Sequence, residues 1–222
     1  MEKYQILTQV PFFSNLKDNK IAELSDKAKI RKYSRGEWIV YQGDVWPYLF
    51  LVTDGEIQAI KESVEGRSLI ATKIIPGELF WGLAFFIEGA QMPVLLQAKT
   101  NVGILLWDRD TLVPLIKENG YMAWDLCNIM INRMQLASEI VEDLAFLPVI
   151  SRLAGLLLDI SQNAGDEYVA REFTLDEMAA RIGTTREVVC RYLYRFAAIG
   201  AIDINRTEFK IIDRDFLRSQ TN

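Results

Sequence analysis

The stretch TTREVVCRYLYRFAAIG, residues 184–200, carries Arg186, Glu187, Arg191 and Arg195 and no lysine. Placed on a helix at about 100° per residue, Arg186, Glu187, Cys190, Arg191 and Tyr194 share one arc, and Val188, Val189, Tyr192, Leu193 and Phe196 fill the other side. A planar guanidinium donates two parallel hydrogen bonds to O6 and N7 of guanine in the major groove. A carboxylate accepts from N4 of cytosine, and one such pairing discriminates against a wrong base by about 1–3 kcal/mol. Lysine brings the charge without the fork. The competing reading is a solvated Glu187–Arg191 pair worth only about 0.2–0.5 kcal/mol. Thr184 or Thr185 stands where a hydroxyl caps the helix or reaches a phosphate.

The elements around this stretch are the ones a base-reading helix needs. FTLDEMAARIG precedes it. Thr174 there is a candidate N-cap beside the DNA, with Glu177 three residues on as a capping box, and Gly183 stops the helix. AIDINRTEFKIID follows, two β-like runs around NRTE that suit a hairpin wing, with Arg206 and Lys210 as candidate phosphate contacts. A solvated hairpin is the competing reading of those two. Helix, tight turn, helix and wing together give a DNA-reader layout.

Upstream, residues 28–109 hold short runs rich in Val, Ile, Tyr, Phe and Trp, punctuated by glycines: KIRKY, EWIVYQGD, YLFLVTDGEIQAI, SLIATKIIPGE and NVGILLWD. They predict many short strands in a barrel or roll. SNLKDNKIAELSDKA ahead of them is helical in pattern. Between the roll and Pro148, GYMAWDLCNIMINRMQLASEIVEDLAF predicts one helix of about seven turns. It is apolar on more than one side, at Leu126, Met130, Ala137, Ile140 and Leu144 and again at Ile129, Leu136 and Val141. Such a helix needs two partners, the roll and a second copy of itself, unless it is a single buried core helix. The first stripe is therefore the candidate dimer interface. Residues 149–162 predict a further amphipathic helix, and GDEYVAREF a polar stretch with strand-like ends.

Composition sets the limits. Half of the 222 residues are hydrophobic and a quarter charged, as in ordinary globular proteins, and no run is apolar for long enough to span a bilayer. The first residues lack the unbroken apolar core of a signal peptide, so a cytoplasmic location without membrane partners is expected. With no histidine at all, a Ser–His–Asp triad, His-ligated zinc and His-ligated haem are excluded, and the chain is not expected to be an enzyme. Two cysteines, Cys127 and Cys190, are too few for an iron–sulfur site. They read as free thiols, with redox sensing as the alternative, and no cofactor is expected. A net charge of −5 argues against a broadly basic coat but not against a local basic surface.

The order of PFFSNL, RKYSRGEWIVYQGD, LFLVTDGEIQAI, PGELF, RMQLASEIVEDLAFLPVISRLAGLLLDI and TTREVVCRYLYRF resembles the bacterial transcription regulators related to the cAMP receptor protein and FNR. The resemblance covers nearly the whole chain. It implies an α+β fold: a double-stranded β-roll of the cyclic-nucleotide-binding, jelly-roll kind at 1–109, a long dimerisation helix and hinge at 110–147, and a winged helix-turn-helix at 148–222. It also implies a homodimer on double-stranded DNA with an inverted-repeat operator, Arg186 and Arg191 reading guanines and Glu187 a cytosine in a half-site near GTGA. RNA polymerase is the further partner implied, and control is allosteric.

In members that bind cyclic nucleotides, a Glu grips the ribose and an Arg followed by Ser or Thr holds the phosphate. The matching positions of PGELFWGLAFFIEGAQMPVLLQAKT are Trp81 for the glycine before that Glu, Gly82 for the Glu itself, Met92 for the Arg and Pro93 for the hydroxyl residue. A buried phosphate without its arginine costs several kcal/mol, roughly, so cAMP is not the expected effector. Ser138 keeps one of two hydroxyls that the resemblance places on the long helix. Trp81, Gly82, Leu83, Met92, Pro93 and Ser138 form the candidate effector pocket, either open to a less polar molecule or filled by its own side chains. Two further readings are a roll whose main role is small-molecule sensing and a DNA binder that needs no ligand.

Overall fold

Alternation along two strands builds the first half of the molecule. In the computed structural model, which describes residues 2–162, 167–170 and 173–221, β3 (Tyr48–Asp54) and β8 (Val102–Asp108) are neighbours in one sheet. Successive side chains of a strand point to opposite faces. Phe50, Val52, Ile104 and Leu106 therefore meet the second sheet at Val40, Ile57, Leu96 and Ala98. Leu49, Leu51, Leu105 and Trp107 meet the helices at Leu7, Phe13, Leu24 and Leu112.

The first sheet runs β1 (Lys29–Tyr33), β8, β3, β6 (Leu79–Trp81), and the second β2 (Trp38–Val40), β7 (Leu95–Ala98), β4 (Ile57–Glu62), β5 (Ser68–Ile74). Every strand pair with a recorded register in these sheets is antiparallel, which makes the expected roll. The runs read from the sequence are β1 to β5 and β8. Short β6 and β7 complete the sheets. Helices α1 (Glu2–Thr8), α2 (Asp18–Lys27) and α3 (Arg109–Glu118) cover the outer face of the first sheet, and buried Trp107 donates its indole N–H to the Leu24 carbonyl at 2.9 Å.

Asp108 ends β8 and caps α3, accepting from the Thr111 N–H at 3.0 Å and the Thr111 hydroxyl at 2.6 Å. The long helix α4 (Gly120–Phe146) follows as expected, its first turn held by the Asn119 side chain. Its inner face buries Met122 and Leu126 against the roll core. Leu126 is 4% exposed, so it is not available to a second copy. Trp124, Ile131, Met134 and Val141 remain exposed on the other side.

The contacts divide the chain into two units, Met1–Glu62 with Ala71–Leu136, and Ser63–Ile70 with Ala137–Asn222. The division falls within α4, whose first half shares the roll core through Met122 and Leu126. In the second unit, α5 (Val149–Ile160) starts after Pro148, and α6 (Leu175–Ile182), α7 (Arg186–Ala198) and α8 (Arg214–Gln220) close on it. The sheet order is β10 (Ile202–Ile204), β11 (Glu208–Ile211), β9 (Val169–Ala170). Of the polar stretch GDEYVAREF, Gly165, Asp166, Arg171 and Glu172 lie outside the described residues. No helix among the described residues is long and apolar enough to cross a membrane.

The Thr111 hydroxyl, its N–H and Lys29 hold the Asp108 carboxyl below its ordinary value. A group with a depressed folded-state pKa stabilises fully above its unfolded value near 3.9, and that stabilisation is lost as pH falls through the lower folded value. Replacing Asp108 by Ala is expected to cost about 1 kcal/mol at neutral pH, as for other helix caps. In urea titrations the cost shrinks toward zero once the pH is below the folded value.

Candidate nucleic-acid interface

Two local rules fix α6. The Thr174 hydroxyl accepts from the Glu177 N–H at 3.1 Å while the Glu177 carboxylate accepts from the Thr174 N–H at 2.9 Å, the reciprocal cap expected at this start. Gly183 ends the helix with φ of 63°, a left-handed conformation that favours glycine, and the Thr184 N–H returns to the Ala179 carbonyl at 3.0 Å. Thr185 is the N-cap of α7, so the two helices are joined by Gly183, Thr184 and Thr185.

The faces of α7 separate as the wheel predicts. Val189, Leu193 and Phe196 are buried with Leu153, Leu157, Met178 and Ile182, and Phe196 meets Phe216 edge-on at 6.3 Å. Arg186, Glu187, Arg191, Tyr194 and Arg195 are exposed, and Cys190 is half-buried. The Arg186 guanidinium donates to Asp176 at 3.2 Å, with both side chains mostly in solvent. Such a pair is worth about 0–1 kcal/mol, less than the roughly 1–3 kcal/mol of a bidentate guanine contact, so it is too weak to keep the guanidinium from a stronger partner. The Arg191 guanidinium lies 5.3 Å from the Tyr192 ring centre. The Glu187 carboxyl is held below its ordinary value by its own backbone N–H first, then by the Thr185 hydroxyl and the Arg186 charge. It is ionised at neutral pH and acts as an acceptor.

At the wing, the Asn205 side-chain oxygen accepts from the Thr207 and Glu208 N–H groups, each at 2.9 Å, and this turn presents exposed Arg206 at its tip. Lys210 is half-buried and pairs in register with Asp203 across the hairpin. Sequence reasoning missed Arg152. Its guanidinium donates to the carbonyls of Ile182 at 2.8 Å, Asp143 at 3.2 Å and Leu147, joining the ends of α6 and α4. An arginine on an otherwise apolar helix start was the available signal.

Residues 151–220 match the Crp-like helix-turn-helix domain, and residues 30–119 match the cyclic nucleotide-binding domain. The chain belongs to the Crp/Fnr family of transcription regulators. It is 25% identical over 218 residues to the CRP-like cAMP-activated global transcriptional regulator of Mycobacterium tuberculosis, covering 96% of this chain and 97% of that one. The cyclic AMP receptor protein of Thermus thermophilus is 28% identical over 193 residues, 86% and 88% of the two chains. A Crp/Fnr-family regulator from Eubacterium rectale shares the fold at a TM-score of 0.80 and 20% identity, over 95% of this chain and 97% of that one.

Family membership draws attention to the roll cassette, and here the residues expected to line one effector pocket do not come together. Met92 is 2% exposed, inside the core between the sheets with Phe50, Ile74 and Leu96. A Cβ added at Gly82 would stand 1.9 Å from the Trp46 carbonyl oxygen, so the backbone itself fills the place of a longer side chain. Leu83 and Pro93 are exposed, and the Pro93 carbonyl accepts from the Lys61 ammonium at 2.7 Å. Trp81 is half-buried and packs on the helix-side core with Phe86, while Ser138 is exposed and belongs to the second unit. Of the two sequence readings, the filled cassette is the one these positions favour.

Replacing Arg186 by Ala is expected to weaken binding to a cognate duplex by about 1–3 kcal/mol and to leave binding to scrambled DNA nearly unchanged. Replacing Arg206 by Ala is expected to weaken both duplexes alike and to lower the salt slope by about one. Fluorescence-anisotropy titrations at several salt concentrations separate the two effects.

Proposed function

We propose that the chain acts as a homodimer that places two copies of α7 in successive major grooves of an inverted-repeat operator, and that its roll does not bind cyclic AMP in the manner its cAMP-activated relatives would suggest. The observation that carries the DNA reading is the exposed Arg186, Glu187 and Arg191 on a helix whose opposite face buries Val189, Leu193 and Phe196 in the core. Arg186 and Arg191 read guanines and Glu187 a cytosine in a half-site near GTGA. Thr174, Thr184 and Thr185 approach the phosphates at the ends of α6 and α7, with Arg206 and Lys210 on the wing. The working divisions are a sensor roll at 1–109, a dimer helix and hinge at 110–147 and a DNA-binding domain at 148–222.

The dimer reading is supported by the exposed side of α4. Trp124, Ile131 and Ser138 recur every seven residues, and Cys127, Met134 and Val141 repeat the spacing three residues later, the a and d positions of a coiled coil. This seam stands one residue along from the expected Met130 and Ala137, which flank it. Of the rest of that stripe, Leu126 belongs to the roll core, half-buried Ile140 is off the seam, and Leu144 lies against Gly183. Each large apolar seam residue that becomes fully buried contributes about 1.5–3 kcal/mol. The effector, acting through α4, re-aims the two α7 helices, and RNA polymerase is the partner that reads the result.

Sedimentation of the wild-type chain is expected to give the dimer, and the double variant Ile131→Glu with Met134→Glu a folded monomer. Selection from a random duplex pool is expected to return an inverted repeat with half-sites one helical turn apart, about 34–36 Å, for the dimer and no repeat for the monomer. A wild-type monomer, or selection of single half-sites by the wild type, contradicts the proposal.

A further inference from the structure

The inner face of α4 does not close completely on the roll. A cavity of about 380 Å³ remains in the first unit, within the range of ligand pockets. Its wall includes Phe12, Thr72, Leu79, Ile129, Arg133 and Leu136, and is mainly apolar. Trp81, Gly82, Leu83, Met92 and Pro93 are not part of it. Ile129, Arg133 and Leu136 lie on the side of α4 away from the seam at Ile131 and Met134.

The charged side chains on the wall are Lys73, Glu78 and Arg133. Two of them are engaged elsewhere. Lys73 pairs with Glu56 at 3.3 Å, and the Glu78 carboxylate accepts from the Ile75 N–H at 3.1 Å. Arg133 differs. Its Nη2 donates to the Leu79 carbonyl at 2.9 Å, and its guanidinium carbon lies 4.6 Å from the Phe80 ring centre and 5.6 Å from that of Trp81. Its Nε is buried and has no hydrogen-bond partner. Among the described residues no carboxylate stands within ion-pair distance of it. Burial depresses its pKa, and the Glu78 charge only partly offsets this. An arginine stacked on two rings, with a donor unused and, among the described residues, no carboxylate in ion-pair distance, inside a ligand-sized apolar cavity, is complementary to one chemical class. The guanidinium pairs with a planar oxyanion and the walls with an apolar body.

We propose that this cavity binds a small organic carboxylate, with the carboxylate on Arg133 and an apolar body of about one ring between Phe12, Leu79, Ile129 and Leu136. The ligand bridges the roll to the inner face of α4, and so gives the family's effector-binding unit an entry for a signal that does not pass through the filled cassette. The site lies wholly in the first unit and stands or falls independently of the DNA reading.

The test is calorimetric titration of the full-length chain, without DNA, with benzoate, phenylacetate and hexanoate and with phenylacetamide as the neutral isostere of phenylacetate. At least one carboxylate is expected to bind once per chain, with phenylacetamide about tenfold or more weaker than phenylacetate. Arg133→Gln is expected to remove that tenfold preference. Leu136→Trp, which fills the cavity from its exposed rim, is expected to abolish binding while circular dichroism shows the helix content retained. Absence of binding by all three carboxylates, equal affinity for phenylacetate and its amide, or wild-type affinity in a folded Leu136→Trp chain overturns the proposal. The comparison of acid with amide uses the wild-type chain alone and does not depend on the folding of either variant.

Discussion

Everything in this chain turns on a helix that must satisfy two environments at once. One side of α4 completes the roll core through Met122 and Leu126, and the other leaves Trp124, Ile131, Met134 and Val141 in solvent. A helix apolar on both sides is stable only with a partner on each. The roll supplies the first, and the exposed residues have the a and d spacing that the proposed second copy would require. The far end of the same helix is held locally, where Arg152 joins the terminal carbonyls of α4 to the end of α6.

Two positions of the roll, Met92 and Gly82, carry the proposal that it takes no cyclic nucleotide. Met92 stands where the resemblance places an arginine, and its apolar side chain packs with Phe50, Ile74 and Leu96. Gly82 removes the acidic side chain and lets the Trp46 carbonyl approach. These two changes support each other. An arginine restored at residue 92 would lie in an apolar core, and a Glu restored at residue 82 would collide with the backbone. Chains that are 25–28% identical to cAMP-named regulators therefore need not share their effector chemistry, since identity of that order maintains the sheets without fixing the few residues that touch a ligand.

Most of the architecture was legible because it rests on local rules. The capping box at Thr174, the left-handed Gly183 and the two-sided α7 are written in adjacent residues. The strands β3 and β8 are likewise visible as the apolar runs of YLFLVTD and NVGILLWD, although the role of each face is not. What the sequence did not show depends on contacts distant along the chain. Periodicity alone does not say which of two apolar stripes of α4 meets the roll, and only the burial of Leu126 in the roll core assigns that side. Arg133 and Arg152 were not singled out, since the Leu79 and Ile182 carbonyls they meet are tens of residues away. The cassette residues looked like a pocket because matching positions carry no information on whether their space is already filled.

The central claim is that this is a base-reading dimer whose roll takes no cyclic nucleotide. It is tested most directly by one anisotropy titration of the ligand-free protein against a GTGA/TCAC palindrome and a scrambled duplex at fixed salt, repeated with cyclic AMP at saturating concentration. The account predicts that the palindrome is preferred and that cyclic AMP changes neither curve. A preference that appears only when cyclic AMP is present would contradict it.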